Sequence, residues 1–425
     1  MRFTDKEYEE ILRSELIPAM GCTEPIAIAL ASAKARATLG EIPDSMVLFL
    51  SGNIIKNVKG VTVPNSGGMK GMDTAAILGA LCGDEKRELE VLSSVTEADI
   101  EKMKELRDKG YCECRLQEGV ENLYVRAVVT KGEHTASVTI SDNHTHIIDI
   151  TKDDEVLYHE DVMSSEEKKL KKQAMTLDGI YDYATTCDLE PVRPILERQL
   201  QMNEAIAKES LTGHYGAQVG RTLIKSEAPS VNVRARAYAA AASDARMGGC
   251  ALPVVINSGS GNQGITVSLP LLVYAKEYNL SEERLFRALI LANLTAIHQK
   301  SYIGSLSAFC GAVSAACGTG AGITYLYDGS FEQIANTIVN TLANTSGIIC
   351  DGAKASCAAK IASAVEAAIL AHNMSMDDLS FHPGDGVVLE TVEETMKSIG
   401  YVGRVGMKET DHDILQIMLG NVKFQ

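Results

Sequence analysis

The sequence has no tryptophan, and aromatic residues of all kinds make up only 5% of it. Large aromatic side chains therefore fill little of the interior. In their place stand 35 glycines and abundant alanine, while hydrophobic residues at 45% and charged residues at 23% are ordinary for a globular protein. Small residues allow helices to approach one another closely, so the composition predicts close helix packing.

Positive charge is also in deficit, because 40 Lys and Arg face 56 Asp and Glu and leave a formal charge of −16. Binding to phosphate backbones depends on neutralisation by Lys and Arg. The charge balance therefore argues against nucleic acid as a partner and indicates an acidic, solvated surface.

A secretory signal is missing as well, since the N-terminal segment MRFTDKEYEEILRSELI is charged and amphipathic. Two uncharged segments, 247–275 and 301–327, are long enough to raise the question of a membrane span. The first contains two prolines and the polar loop NSGSGNQG, and the second is rich in glycine. We interpret both as buried interior, and we expect a cytoplasmic protein with no membrane contact.

The order of predicted elements indicates an α+β fold. Predicted helices cover residues 4–17, a segment capped by Thr23 that runs to about Leu39, 74–81 and 97–109; residues 46–64 have a strand pattern, and the alternating segments from 112 to about 160 favour an antiparallel sheet. Nearly every later segment has an Ala-rich helical pattern. We therefore predict a mixed α/β domain with a mainly antiparallel sheet over residues 1–165, and a larger all-α, Ala/Gly-rich helical domain over residues 166–425. A helical domain of this kind is compatible with a homodimer.

Ten cysteines in a chain without an export signal are typical of reduced thiols, metal ligands or catalytic groups. On one unbroken helix, Cys350 and Cys357 would lie about 10.5 Å apart along the axis, too far for one metal ion. A cluster could be held more easily if Asp351 and Gly352 break the helix, with Cys310 as a third ligand. Spacing alone leaves the alternative open, which is a set of buried structural cysteines.

Four motifs carry a resemblance to a known family: MGCTEPIAIALA (20–31), NSGG (65–68), KSYIGSLSAFCGA (300–312) and SGIICDGAKASCAAKIA (346–362). In this order they resemble the L-cysteine desulfidase family, which is related to the alpha chain of iron–sulfur L-serine dehydratases, and the resemblance covers essentially the whole chain. Three cysteines of that family hold a [4Fe-4S] cluster, and they match Cys310, Cys350 and Cys357. The catalytically important cysteine of its G-C-T-E-P motif matches Cys22.

The resemblance implies a β-elimination lyase that converts L-cysteine to pyruvate, ammonia and sulfide without pyridoxal phosphate. Such clusters usually take four thiolates, so three protein ligands would leave one iron open to act as a Lewis acid on the leaving group. L-Serine dehydratase activity is the alternative within the class. The dehydratases lead one to expect a cysteine at the extreme C-terminus, whereas no cysteine follows Cys357 here, and this departure favours the desulfidase.

Two alternatives belong to other classes. A cluster-bearing redox or iron sensor without turnover would usually carry a DNA-binding or partner module, and no basic patch or helix-turn-helix pattern stands out. A metal-free thiol enzyme with Cys22 as nucleophile would leave Cys350 and Cys357 without a role.

Cys22 stands at the entrance of a predicted helix, where free N–H groups and the helix dipole would lower the pKa of a thiol and favour the thiolate. We therefore expect Cys22 to be the base that removes the α-proton. Glu24 is either a first-turn carboxylate of that helix or a group that orients Cys22 or the substrate amine.

Two glycine-rich loops resemble each other, VPNSGGMKGMDTAAILGAL (63–81) and VINSGSGNQGITVSLPLLV (255–273). Backbone N–H groups around glycines and helix starts can bind anions, so either loop could hold the carboxylate of a small amino acid, although ordinary turns would explain both. The candidate residues are Asn65, Ser66, Gly67, Gly68 and Lys70 in the first loop and Ser258, Gly259, Ser260 and Asn262 in the second.

Four further polar residues are candidates for the site. His298 and Lys300 precede the Cys310 segment, so each either faces the cluster or is a cation near a helix end. His144, which alternates with His146 in a strand-like stretch, has no metal-spaced partner in sequence. We expect that pair at the surface and not in a zinc site.

Overall fold

A computed structural model describes residues 3–160, 167, 170–304 and 306–423. Strands and helices are mixed up to residue 160, and helices dominate after residue 170, so the predicted α+β class is confirmed. The predicted domain boundary between residues 165 and 166 falls outside the described residues, and the division of the chain there stays a prediction.

A six-stranded sheet has the order β3-β2-β4-β5-β6-β7, and only the β2–β3 pair is parallel, as the prediction of a mainly antiparallel sheet requires. Every second residue of β2 is buried, with Leu48 and Leu50 fully covered. The strands of the described chain are β1 Pro18–Met20, β2 Ser45–Leu50, β3 Cys112–Leu116, β4 Tyr124–Lys131, β5 His134–Ser141, β6 Ile147–Lys152, β7 Glu155–His159 and β8 Pro253–Val255.

The helices lie around this sheet and in the second half of the chain. Their bounds are α1 Asp5–Glu15, α2 Thr23–Leu39, α3 Gly52–Val58, α4 Met72–Cys82, α5 Glu97–Asp108, α6 Leu177–Thr186, α7 Arg193–Thr212, α8 Val219–Ser226, α9 Val231–Met247, α10 Gly261–Glu277, α11 Glu282–Ile303, α12 Gly311–Leu326, α13 Phe331–Thr345, α14 Cys357–Met376, α15 Val392–Tyr401 and α16 Lys408–Leu419. Within the described stretches, no helix has the combined length and apolarity that crossing a membrane demands.

The prediction of strand over residues 46–64 is wrong beyond Leu50, because residues 52–58 form α3. The side chain of Ser51 accepts a hydrogen bond from the Ile54 backbone N–H and caps the helix. Ile54 and Val58 then lie four residues apart on the buried face. Apolar β-branched residues fit either pattern, and the capping serine favours the helix.

The small residues produce the close packing that the composition predicts. A Cβ at Gly79 of α4 would overlap the Ala29 carbonyl of α2, and a Cβ at Gly318 of α12 would overlap the Ala292 carbonyl of α11. Glycine therefore lets each pair of helices touch backbone to backbone.

Among the described residues, the two largest apolar cores each take residues from both parts of the chain. Leu12 of α1 lies in the core of the helical part, while Leu415 of α16 lies in the core beneath the sheet. In a separate two-stranded sheet, β1 pairs antiparallel with β8, with Pro18 opposite Val255. This pairing places the loop that follows β1 beside the segments that flank β8, and the candidate site lies there.

Candidate functional site

Cys22 is the N-cap residue of α2 and is 1% exposed. Its Sγ donates a hydrogen bond to Oε2 of Glu24 over 2.8 Å, and Asn57 of α3 donates to Oε1 of the same carboxylate over 3.0 Å. Of the roles considered for Glu24, the structure therefore supports the one in which it orients Cys22.

The structure does not support the predicted thiolate at Cys22. Burial, and after it the Glu24 carboxylate, raise the pKa of Cys22 well above its ordinary value, although the Arg246 charge opposes this effect. Burial would also raise the pKa of Glu24, but His144, Cys22 and Arg246 together lower it to about 2. The helix dipole is thus outweighed, and the pair consists of a neutral thiol that donates to an ionised carboxylate.

The structure brings Cys310, Cys350 and Cys357 together. Phe309 and Ile349 form an antiparallel bridge, in which Cys310 N donates to the Ile348 carbonyl over 3.0 Å and Cys350 N to the Ala308 carbonyl over 2.5 Å. Cys310 caps α12, and Cys357 is the first residue of α14. Burial, followed by the neighbouring thiols of Cys350 and Cys357, raises the pKa of Cys310 to about 12, so the three side chains share one electrostatic environment.

The predicted helix break lies between Cys350 and Cys357. Cys350 belongs to a loop, Gly352 has φ +94°, and helix α14 starts only at Cys357. A Cβ at Gly352 would overlap the Lys56 carbonyl, while Lys56 Nζ lies 3.4 Å from the Cys350 carbonyl and forms an ion pair with Asp411. Helix α3 therefore supports the loop that carries Cys350.

Replacing Gly352 by Ala should strain this loop, since both the left-handed φ and the approach to Lys56 disfavour a side chain. We expect a loss of about 1–3 kcal/mol in the free energy of unfolding and less iron bound per chain. Thermal melting and iron analysis check this. Gly347→Ala is the matched control, because Gly347 has no positive φ and a methyl group added there would have no neighbouring atom within 4 Å; equal losses in both variants would contradict the prediction.

Two lysines, Lys300 and the partly exposed Lys360, lie near the three thiols. Lys300 of α11 is 7% exposed; its burial lowers its pKa to about 8, against the opposing influence of Cys350 and Cys310. Lys360 Nζ donates to the Ile349 carbonyl over 2.9 Å and pairs with Asp351. Lys300 lies in the last turn of α11 and close to Cys350 and Cys310, so the structure agrees with both roles considered for it. His298 does not face the cysteines, because its Nε2 lies 2.9 Å from Glu393 and its Nδ1 3.1 Å from the Lys172 carbonyl.

The three thiols suit an iron–sulfur cluster better than a single metal ion. Across the described ranges, no group of three or more His, Cys, Asp or Glu side chains is arranged to hold a single metal ion. A [4Fe-4S] cluster takes its thiolates on separate irons, so its ligands need not converge on one point. Two thiols at helix starts, Cys310 and Cys357, and a third in the loop at Cys350 fit this group chemically, with Lys300 and Lys360 nearby to balance thiolate charge.

The second predicted loop lies at Cys22. Thr23 Oγ1 donates to the Gly259 carbonyl over 3.0 Å, and Gly259, with φ +76°, lies against the His144 ring. Ser258 has φ +49° and donates to Asn257 Oδ1, while Ser260 caps α10 without a side-chain hydrogen bond among the described residues. The structure thus brings the Ser258–Asn262 loop into contact with the Cys22 segment.

The first predicted loop approaches the Cys22 segment only at Pro64. Pro64 packs against Gly21, whereas the Asn65 side chain donates to the Leu92 carbonyl and Gly67 faces Ile100. The Ser66 hydroxyl lies 2.7 Å from the Val63 carbonyl and 3.0 Å from the Met69 carbonyl, within its own turn. Gly68 and Lys70 are exposed. The Asn65 and Ser66 side chains are therefore engaged in hydrogen bonds to backbone carbonyls away from Cys22.

Sequence reasoning missed three residues of the site. His144, expected at the surface, is 5% exposed, and its Nε2 lies 3.9 Å from Glu24 Oε1. Asn57 was missed because the sequence analysis interpreted residues 52–58, which form α3, as a strand. Arg246, in the last turn of α9, is 2% exposed and next to Met247, which packs with Cys22 and Cys357. A charged residue at the end of an Ala-rich helix was the only available signal for it.

Residues 86–416 match the family model described as the serine dehydratase alpha chain. The chain is 51% identical over 414 residues to a UPF0597 protein of Lachnoclostridium phytofermentans, which covers 97% of this chain and 99% of the relative. It is 48% identical over 415 residues to a UPF0597 protein of Finegoldia magna, with 97% and 99% coverage. The family model begins after Cys22, Glu24 and Asn57 and spans the three cysteines, whereas the two relatives align with 97% of the chain.

Proposed function

The chain belongs to the serine dehydratase alpha chain family, and on that basis we propose that it is an iron–sulfur β-elimination lyase that acts on L-cysteine and releases pyruvate, ammonia and sulfide. Family membership points to an enzyme of the lyase or dehydratase type. The observation that carries the proposal is the meeting of Cys310, Cys350 and Cys357 beside the buried Cys22–Glu24 pair.

Cys310, Cys350 and Cys357 would hold a [4Fe-4S] cluster. When bound, this cluster supplies a Lewis-acidic iron that assists departure of the β-thiolate. The thiols must lose their protons on binding, and Lys300 and Lys360 then balance the resulting negative charge.

The reaction breaks the Cα–H and Cβ–S bonds and forms a Cα–Cβ double bond. The 2-aminoacrylate so formed tautomerises to an imine, and water replaces the nitrogen to give pyruvate and ammonia. No net oxidation or reduction takes place, so no external electron carrier is required. The chain must supply a group that exchanges the α-proton and a site closed to bulk water.

We assign the proton exchange to Cys22. Its thiol donates to the Glu24 carboxylate over 2.8 Å. Because the buried thiol is a weak acid and the carboxylate a weak base in the free protein, the thiol passes its proton to Glu24 only when a bound substrate changes the charge around the pair. Asn57 donates to the same carboxylate and fixes its orientation. General acid–base groups of this kind contribute about 10²- to 10⁴-fold to a rate.

L-Serine is the second candidate substrate, because the matching family model is that of a serine dehydratase. Hydroxide is a poorer leaving group than hydrosulfide, while a soft thiolate suits iron in a sulfur environment. We expect kcat/KM for L-cysteine to exceed that for L-serine by at least about tenfold, or about 1.4 kcal/mol in the transition state. Pyruvate formation from each amino acid under anaerobic conditions measures the ratio; a preference for L-serine would make the protein a dehydratase.

A further inference from the structure

Buried polar atoms without partners gather around Cys22. In the described part of the chain, Asn57 Oδ1, His144 Nε2, Arg246 Nε and Asn262 Oδ1 are all covered and have no hydrogen-bond partner. Such atoms are rare in folded proteins, and each costs about 1–3 kcal/mol when left unsatisfied. Their concentration at one place indicates a polar ligand.

Arg246 stands out among them because it carries a full charge. Its residue is 2% exposed, and none of the ion pairs found within the described residues includes it. Two other arginines of α9, Arg234 and Arg236, pair with Glu277 and Glu366. The ionised Glu24 acts on Arg246 only from beyond ion-pair distance, and a buried guanidinium without a direct partner is costly unless a ligand provides the negative charge.

The surroundings hold Arg246 toward the site. Gly261, at the start of α10, leaves the space that the guanidinium occupies, since a Cβ there would overlap Arg246 Nε. The next residue, Met247, packs with Cys22 and Cys357, and Asn262 Nδ2 lies 3.9 Å from the Met247 sulfur. Arg246 thus lies between the proton-exchange pair, the Ser258–Asn262 loop and one of the three cysteines.

We propose that Arg246 binds the α-carboxylate of the amino-acid substrate, and this inference rests on the proposed function. A guanidinium matches a carboxylate with two parallel N–H···O bonds. The ammonium group of the same zwitterion then faces acceptors at the other side, Asn57 Oδ1 and the ionised Glu24. Arg246 thus adds a positively charged side chain to the carboxylate site predicted at the Ser258–Asn262 loop.

The test uses ligands that cannot undergo elimination. Calorimetry with the iron-replete protein would compare L-alanine, which has the carboxylate, with L-alaninamide, which lacks it. We expect the wild-type protein to prefer L-alanine, and Arg246→Met to weaken L-alanine binding about 10- to 100-fold while leaving L-alaninamide binding unchanged. Arg246→Lys keeps the positive charge but loses the paired N–H donors of the guanidinium. Its affinity for L-alanine should lie between those of the wild-type protein and Arg246→Met.

Arg234→Met is the matched control, because Arg234 lies on the same helix but is partly exposed and paired with Glu277. Equal binding of the two ligands by the wild-type protein, or unchanged L-alanine affinity in both Arg246 variants with native circular dichroism, would overturn the inference. Arg246-dependent L-alanine binding by a protein that turns over neither cysteine nor serine would refute the proposed function and leave the carboxylate site standing.

Discussion

Replacement of Cys310, Cys350 or Cys357 by serine should abolish both the cluster and the activity. Serine has nearly the same size, but its hydroxyl is a hard, weakly acidic donor that binds iron–sulfur clusters poorly. We expect the activity to fall by more than the roughly 10- to 100-fold that follows loss of an outer-shell partner of a metal. Iron and acid-labile sulfide per chain, visible absorbance and turnover after anaerobic purification measure the effect.

Cys317→Ala provides the control for that series. Cys317 lies seven residues after Cys310, is fully buried and donates its thiol hydrogen to the Ser314 carbonyl over 2.9 Å. Its removal leaves a small cavity that costs on the order of 1 kcal/mol of stability, and the iron content should not change. If all four variants lost iron equally, general destabilisation would explain the result and the assignment of ligands would fail.

Cys22→Ala should lower kcat by about 10²- to 10⁴-fold, the range of general acid–base contributions, while the iron content stays at the wild-type value. The decisive readout is exchange of the α-hydrogen of L-alanine with deuterium from the solvent. This exchange involves no leaving group, so it isolates the proton transfer from the assistance given to the β-substituent. We expect wild-type protein to exchange this hydrogen and Cys22→Ala to lose the exchange.

Cys82→Ala is the matched control, because Cys82 ends α4 and its thiol donates to the Leu78 carbonyl away from the site. Cys22→Ser tests the hydrogen bond separately, since a hydroxyl can still donate to Glu24 but exchanges protons less readily than a thiol. If Cys22→Ala exchanged the α-hydrogen at the wild-type rate, another group would have to carry the proton. The next candidate would be His144, whose imidazole lies beside Glu24.

Local patterns were sufficient for much of the fold. Alternating residues predicted a sheet from residue 112 to about 160, where β3 to β7 lie. The axial rise of a helix favoured a break between Cys350 and Cys357 if both bind one cluster, and Gly352 provides that break. The choice between helix and strand failed at residues 52–58, where Ile and Val suit both. That error concealed Asn57 and Lys56, which face the site from α3.

The chemistry of the site depended on contacts that sequence does not display. Local geometry indicated a thiolate at Cys22 because a helix starts there, but burial and the neighbouring carboxylate have the opposite and larger effect. His144 alternates like a surface residue and becomes buried because Gly259, more than 100 residues later, packs on its ring. Arg246 reaches the site because β1 pairs with β8. The cluster cysteines were identified by family resemblance, since their spacing alone left two interpretations open.

The most direct test of the account is iron and sulfide analysis of anaerobically purified protein, made on the same sample whose turnover of L-cysteine is measured. We predict about four irons and four sulfides per chain, with pyruvate and sulfide released in equal amounts and activity that rises in proportion to iron content. An active protein that contains no iron would contradict the account.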